Sequence, residues 1–184
     1  MKHILIIGAG TVASNLLDAY RAGFPNAQFS IWNRRPERAQ SLAKTRPDAR
    51  AVTDLKAAIG SADIICTSTM STSPVLLGAW LQEGQHVDLI GAYRPDMREA
   101  DDQALQRARV FVDSFDTTLD HIGELKIPLA SGALSRADVQ ADYYSERGFQ
   151  RGSERDITLF KNGGGAHLDL MTARYILQQW SAAA

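Results

Sequence analysis

The chain has 184 residues, of which 45% are hydrophobic and 22% charged, and its formal net charge is −1 at pH 7. This length suits one domain with a substantial core, and the balanced charge does not favour a nucleic-acid partner. The single cysteine, Cys66, excludes an internal disulfide, fits a cytoplasmic protein and lies in an apolar run that predicts burial. No run of about 20 apolar residues predicts a membrane span. The four histidines lack metal-site spacing, so no metal is expected.

A glycine motif follows the first apolar run, residues 4–7, and precedes a stretch with helical apolar spacing. In Gly8-x-Gly10-x-x-Ala13, the first glycine permits a tight turn and the second lets a pyrophosphate approach the backbone. Ala13 lets the helix pack close to the sheet, and the helix N-terminus favours phosphate. The motif predicts a dinucleotide site; the alternative is a glycine turn without a ligand. The predicted cofactor-binding residues here are Gly8, Gly10, Thr11, Val12 and Ala13.

Along the rest of the chain, short apolar runs that predict strands alternate with segments whose apolar residues have the spacing of a helix. Strands are predicted at residues 4–7, 28–32, 49–52, 62–66, 86–90, 109–112 and 156–161. Helices are predicted from the glycine turn to residue 23 and at 36–43, 55–59, 96–109, 117–124, 135–145 and 166–180, with a loop at 127–132. The alternation predicts a Rossmann-type α/β fold, a doubly wound, mostly parallel sheet with helices on both faces, as a single domain of residues 1–184.

Two helices in this prediction depend on particular features. Asp96-Met-Arg-Glu99 has the spacing of a capping box and is predicted to open the helix 96–109. The last helix is apolar on several sides, which predicts burial on more than one side.

The end of the second strand indicates which dinucleotide binds. An NAD site places an acidic residue there to bind the ribose 2′-hydroxyl, whereas this chain has Asn33-Arg34-Arg35. A guanidinium binds a 2′-phosphate that a carboxylate would repel, so NADP(H) is the predicted cofactor. The alternative is that Arg34 and Arg35 are solvated charges before a helix.

Polar loops follow three further strands at the same predicted edge of the sheet, where open α/β sheets bind ligands. The hydroxyls and N–H groups of the loop after the fourth strand could line the cofactor, although a plain polar loop fits equally well. Tyr93 is the candidate proton donor, or it stacks on the nicotinamide; a surface or cofactor-packing role is the alternative. His167 is a further residue that could face the site. The predicted cofactor-binding residues of these loops are Thr67, Ser68, Thr69, Ala92, Tyr93, Asn162 and Gly163.

Taken together, the motifs resemble the ornithine cyclodeaminase/mu-crystallin family over nearly the whole chain. The residues that carry the resemblance lie at 8–13, 32–39, 62–69 with 74–76, 91–99, 112–114 and 156–163 with 169–170. The resemblance implies an NADP-dependent oxidoreductase that reduces a cyclic imino acid such as a pyrroline-2-carboxylate, or that dehydrogenates an amino acid. It also implies a small amino-acid or imino-acid substrate and a homodimer.

Two departures from the family pattern change what the resemblance implies. Ornithine cyclodeaminases place a catalytic aspartate where this chain has Tyr93, which argues against the cyclodeaminase reaction proper. Family members usually carry a substrate-binding and dimerisation domain before the glycine motif, onto which their last helix packs. We therefore expect this chain to be the cofactor-binding half, with residues 166–184 packing on a missing or partner domain. A catalytically silent nucleotide-binding module is the alternative function.

Overall fold

The computed structural model describes residues 1–146 and 148–183 and contains one eight-stranded sheet. Its strands are β1 (His3–Ile7), β2 (Gln28–Trp32), β3 (Ala49–Ala51), β4 (Ile64–Thr67), β5 (His86–Leu89), β6 (Ala108–Val112), β7 (Val139–Ala141) and β8 (Ile157–Lys161). The strands lie in the order β3-β2-β1-β4-β5-β8-β6-β7, and every neighbouring pair is parallel. All carboxyl ends of the strands therefore meet at one edge.

Helices cover both faces of this sheet, as predicted for a doubly wound α/β fold. They are α1 (Thr11–Gly23), α2 (Pro36–Ala43), α3 (Leu55–Ser61), α4 (Asp102–Arg107), α5 (Phe115–Thr118), α6 (Gly123–Ser131) and α7 (Ala166–Ala183). Side chains alternate along β1, so Leu5 and Ile7 belong to one buried cluster and Ile4 and Ile6 to the other. The first cluster includes residues of α3, α4 and α6, and the second includes residues of α1 and α2.

The strand order creates a crevice at the carboxyl edge. The chain moves outward from β1 through β2 to β3, and then crosses back to place β4 on the other side of β1. Such a reversal places the helices on the two sides of this point on opposite faces of the sheet, and ligands of open α/β sheets bind there. Later, β8 inserts between β5 and β6, which brings a further loop to the same edge.

The predicted capping box at residues 96–99 is wrong. Helix α4 begins at Asp102, and its cap is Asp101, whose carboxylate accepts the N–H of Ala104 at 2.9 Å. Asp96 instead pairs with Arg94 on the surface, and Glu99 is fully buried. The spacing of a capping box was present, but Glu99 has tertiary partners that the spacing does not reveal.

The predictions for residues 117–145 are also wrong in their boundaries and types. The predicted loop at 127–132 lies mostly within α6, which contains Pro128 and ends before Gly132 in the left-handed conformation. The predicted helix at 135–145 contains a short 3₁₀ turn, Arg136–Asp138, followed by strand β7. Burial of Leu125 explains why α6 persists despite its proline, because tertiary packing overrides local propensity.

Helix α7 forms as predicted, but it is not buried against the rest of this chain, and packing on a missing or partner domain stays a prediction. Its large apolar side chains are mostly exposed, and Trp180 reaches 76%. The exposed set is Leu170, Met171, Tyr175, Ile176, Leu177 and Trp180. Within the described residues, helix α7 therefore presents an apolar surface to solvent; Ala184 of the predicted segment 166–184 lies outside them.

Candidate dinucleotide site at the carboxyl edge of the sheet

The turn after β1 requires its first glycine. Gly8 has a φ of +134°, a backbone conformation that residues with a side chain rarely adopt. Its N–H donates to the carbonyl of Trp32 at 2.8 Å. A Cβ at position 8 would lie 2.6 Å from Ser68 Oγ and 2.8 Å from the Ser68 carbonyl oxygen. The turn therefore packs directly against the loop that follows β4.

The N-terminus of α1 faces open space beyond Gly10. Gly10 is the N-cap, no side chain caps the helix, and the first turn contains no acidic residue. A Cβ at Gly10 would have no neighbour within 4 Å. Thr11 and Val12 are exposed in this turn, whereas Ala13 is fully buried against the sheet. The uncapped N–H groups and the open approach fit a phosphate group.

Two free cations follow β2. Asn33 accepts the N–H of Arg35 at 3.1 Å, which shapes the turn into α2. Arg34 and Arg35 are exposed, and within residues 1–146 and 148–183 neither guanidinium has an ion-pair partner. A cavity of about 370 Å³ lies between the glycine turn and α2, lined by Ala9, Glu37, Arg38, Ser41 and Leu42. Its position between the glycine turn and α2 suits an adenosine moiety.

Most polar groups of the loop after β4 donate hydrogen bonds to one buried carboxylate, that of Glu99. The hydroxyl of Thr67, the last residue of β4, donates to the fully buried Glu99 at 2.8 Å. The N–H and hydroxyl of Thr69 also donate to Glu99, at 2.6 and 2.7 Å. Ser68 Oγ, by contrast, is inaccessible and has no hydrogen-bond partner among the described residues.

The turn after β5 is attached to the same carboxylate. The N–H groups of Gly91 and Ala92 donate to Glu99 Oε2 at 2.7 and 3.3 Å. Ala92 is fully buried with Met97, whereas the side chain of Tyr93 is 57% exposed at the edge. Tyr93 is therefore accessible to a ligand.

The turn after β8 completes the edge. The N–H of Asn162 donates to the Leu89 carbonyl at 3.1 Å, and Asn162 Oδ1 accepts the N–H of Gly164 at 2.8 Å. The buried Asp113 also accepts from Gly164, at 3.0 Å. A Cβ at Gly163 would lie 2.5 Å from Thr118 Oγ1, so this glycine serves close packing.

Buried charges lie beneath these loops. Glu124 accepts the N–H groups of Glu99 and Ala100 at 2.8 and 2.9 Å, and burial raises its pKa to about 7. Lys161 Nζ donates to the Leu89 carbonyl at 3.1 Å, and burial lowers the pKa of this ammonium group, opposed by the charge of Glu124. Sequence reasoning missed Glu99, Glu124 and Lys161 as parts of the site. Glu99 lay within the 91–99 stretch that carries the family resemblance, but its spacing from Asp96 led it to be interpreted as part of a capping box.

The predicted residues follow neighbouring strands of the sheet at its carboxyl edge. Gly8 and Gly10 follow β1, the 67–69 loop follows the neighbouring β4 and touches Gly8 through Ser68, and the turns that contain Tyr93 and Asn162 follow β5 and β8. His167 is partly buried, with Nε2 3.8 Å from Asp113 Oδ2 and its ring against Tyr143 and Tyr144. Cys66 is buried as predicted, and burial raises the pKa of its thiol.

Two further properties bear on the kind of site. No group of three or more metal-ligating side chains occurs in the part of the chain that the structure describes. None of the described helices combines the length and hydropathy needed to cross a membrane.

The ornithine cyclodeaminase/mu-crystallin family model matches residues 2–184. Delta(1)-pyrroline-2-carboxylate reductase of Paracoccus denitrificans (strain Pd 1222) is 54% identical over 183 residues, which cover 95% of this chain and 58% of that protein. Ketimine reductase mu-crystallin of Mus musculus is 33% identical over 181 residues, covering 97% of this chain and 56% of the mouse protein. The chain thus spans less than two thirds of the length of these relatives.

Solved structures agree with this relationship. Thermococcus litoralis Delta(1)-pyrroline-2-carboxylate reductase in complex with NADH and L-proline superposes with a TM-score of 0.86 at 28% identity, covering 94% of this chain and 56% of that chain. An archaeal alanine dehydrogenase dimer with bound NAD gives a TM-score of 0.88 at 26% identity, covering 99% of this chain and 58% of that chain.

Proposed function

This chain belongs to the ornithine cyclodeaminase/mu-crystallin family, and we propose that it is the dinucleotide-binding part of an NADP(H)-dependent reductase of cyclic imino acids. The observation that carries the proposal is the uncapped, open N-terminus of α1 at Gly10, followed at the end of β2 by the free guanidinium groups of Arg34 and Arg35. A phosphate-accepting helix and two cations fit a dinucleotide with a 2′-phosphate.

In this proposal each end of the crevice binds one half of the cofactor. Gly8, Gly10 and the first turn of α1 hold the pyrophosphate, and Arg34 pairs with the 2′-phosphate while Arg35 and Asn33 border it. The loop 67–69 and the turns that contain Tyr93 and Asn162 border the nicotinamide. When bound, the cofactor supplies hydride transfer, and the protein supplies orientation and electrostatics.

The proposed substrate is a small cyclic imine with a carboxylate, such as pyrroline-2-carboxylate. Its support is the 54% identity to the Paracoccus pyrroline-2-carboxylate reductase. Dehydrogenation of an amino acid is a related reaction, and the archaeal alanine dehydrogenase neighbour supports it more weakly, at 26% identity. Tyr93 is the proposed side chain at the reacting end, because it is exposed at the edge beside the 67–69 loop.

The proposed assembly is a homodimer. The archaeal neighbour is a dimer, and α7 offers an exposed apolar surface on this chain. Exposed apolar patches of this kind mark interaction sites.

The cofactor assignment is tested by the affinities for NADPH and NADH. Arg34→Ala should weaken NADPH binding about 10- to 100-fold, since a hydrogen bond to a charged group contributes about 1.5–3 kcal/mol. NADH affinity should change little. Lys44→Ala, which removes an exposed cation at the other end of α2, is the matched control and should leave both affinities unchanged. If Arg34→Ala kept the wild-type preference for NADPH over NADH, the assignment of NADP(H) as the cofactor would be contradicted.

The second candidate function is dinucleotide binding without turnover. The rate of NADPH oxidation, measured at saturating NADPH in the presence of pyrroline-2-carboxylate, distinguishes the two functions. Turnover by the 184-residue chain supports the reductase. Tight NADPH binding without turnover supports the silent module.

A further inference from the structure

Glu99 lies fully buried between the two loops that border the proposed nicotinamide end. Five groups donate hydrogen bonds to its carboxylate, which is the partner set of a carboxylate anion. The donors are Thr67 Oγ1, the N–H and hydroxyl of Thr69, and the N–H groups of Gly91 and Ala92. Glu99 therefore connects the end of β4 to the end of β5 through one side chain.

The two loops touch each other around this carboxylate. A Cβ at Gly91 would lie 2.1 Å from the Thr69 carbonyl oxygen and 2.5 Å from Glu99 Oε1. Glycine is thus required at position 91, and Glu99 fills the remaining space between the loops.

A second buried glutamate holds Glu99 itself. Glu124, on α6, accepts the main-chain N–H groups of Glu99 and Ala100 at 2.8 and 2.9 Å. The buried ammonium group of Lys161, at the end of β8, supplies positive charge to both glutamates. Elements β4, β5, β8 and α6 therefore meet in one polar network beneath the carboxyl edge.

We propose that Glu99 is a positioning residue that fixes the 67–69 loop and the 91–93 turn in the arrangement that receives the nicotinamide half of the cofactor. The inference rests on the proposed function. Glu99 does not itself contact the cofactor, because it is fully buried. It acts by holding Thr69 and Ala92, whose neighbours are Ser68, which packs against the Gly8 turn, and Tyr93, which is exposed at the edge.

The chemistry of the donor set explains why a carboxylate is required. Glu99→Gln keeps the shape of the side chain but replaces one acceptor oxygen with an NH₂ group. That group would face N–H and O–H donors, and at least two of the five donors would lose their acceptor. Buried donors without acceptors are costly, so the loops are expected to shift until these groups find new partners.

The test compares two probes by isothermal titration calorimetry on the full chain. NADPH spans both ends of the crevice, whereas adenosine 2′,5′-bisphosphate reaches only the glycine turn and Arg34. Glu99→Gln should weaken NADPH binding at least tenfold and change the affinity for adenosine 2′,5′-bisphosphate by less than threefold. A general loss of structure would weaken both probes together.

Asp156→Asn is the matched control. Asp156 also accepts two main-chain N–H groups and a hydroxyl, from Gly152 and Ser153, but it lies just before β8 at the opposite edge of the sheet. This variant should bind both probes as the wild type does. Wild-type NADPH affinity in Glu99→Gln, or equal weakening of both probes in a Glu99→Gln chain that is folded, would overturn the inference and leave the proposed function intact. A wild-type chain that binds neither probe would overturn the proposed function, and the inference with it.

Thr67→Val keeps the test decisive if Glu99→Gln does not fold. The substitution conserves shape and removes only the hydroxyl that donates to Glu99 Oε2. We expect a three- to tenfold loss of NADPH affinity with unchanged affinity for adenosine 2′,5′-bisphosphate. Unchanged affinity for NADPH in Thr67→Val would then overturn the inference.

Discussion

Gly8 and Ser68 lie so close that a Cβ on Gly8 would stand 2.6 Å from the Ser68 hydroxyl oxygen. The contact joins the turn after β1 to the loop after β4 across the crevice. Gly8→Ala should therefore destabilise the fold, because the new methyl group also meets the Ser68 carbonyl oxygen at 2.8 Å and φ is +134°. Strain of this kind costs about 1–3 kcal/mol, measurable by urea denaturation. Gly60→Ala, in α3 with no neighbour within 4 Å, is the control and should not lower stability.

Gly10→Ala, unlike Gly8→Ala, should leave the stability of the fold nearly unchanged and should lower the affinity for NADPH. A Cβ at position 10 enters open space, so the free energy of unfolding should stay within about 0.5 kcal/mol of the wild-type value. NADPH affinity should fall at least tenfold, because the methyl group occupies the approach of the pyrophosphate to the N-terminus of α1. Calorimetric titration measures the affinity, again with Gly60→Ala as the control. Wild-type affinity in Gly10→Ala would contradict the phosphate site.

Local patterns were sufficient to predict the first half of the chain. The apolar run, the glycine turn and the helix that follows depend on residues close in sequence, and β2, β5 and β8 form within one residue of the predicted limits. Within the segment 96–145, β6 forms within one residue of the predicted limits, but the helices and loops around it could not be predicted in the same way, because their conformation depends on distant contacts. Glu99, for example, is held by Thr67, which is 32 residues away. The loops at the carboxyl edge were predictable because they follow strands; the buried glutamates beneath them were not.

Glu124 should make the protein less stable as pH rises through neutrality. Burial raises its pKa from 4.5 to about 7, so between these values the folded state binds more protons than the unfolded state. Its contribution to the free energy of unfolding is fully present below pH 4.5 and is lost as pH rises through about 7. Relative to Glu124→Gln, the wild type should lose roughly 2 kcal/mol between pH 5 and 8, measured by urea denaturation. Glu83→Gln, which removes an exposed carboxylate, should keep the wild-type slope; a slope that persists in Glu124→Gln would refute the assignment.

His86 should act in the opposite direction at lower pH. Burial, with the nearby charge of Arg151, lowers its pKa from 6.5 to about 4, and its Nδ1 shares a hydrogen bond of 2.8 Å with Thr158 Oγ1. Between these pKa values the unfolded chain binds more protons, so stability rises with pH over this interval. His86→Gln should reduce the loss of stability between pH 6.5 and 4 by about 1–2 kcal/mol. His121→Gln, which removes an exposed histidine, is the control; if it flattens the slope as much, His86 is not the cause.

Helix α7 should mediate self-association of the chain. Its apolar residues Ile176 and Leu177 are 61% and 65% exposed. Contact of these side chains with water is unfavourable in free energy unless another surface covers them. Leu177→Glu places a charge in this surface and should lower the sedimentation-equilibrium mass of the 184-residue chain toward that of the monomer. Gln178→Glu adds the same charge one residue further along the helix as a matched control, and should lower the mass less. A wild-type chain that remains monomeric at high micromolar concentration would rule out this surface as a homodimer contact.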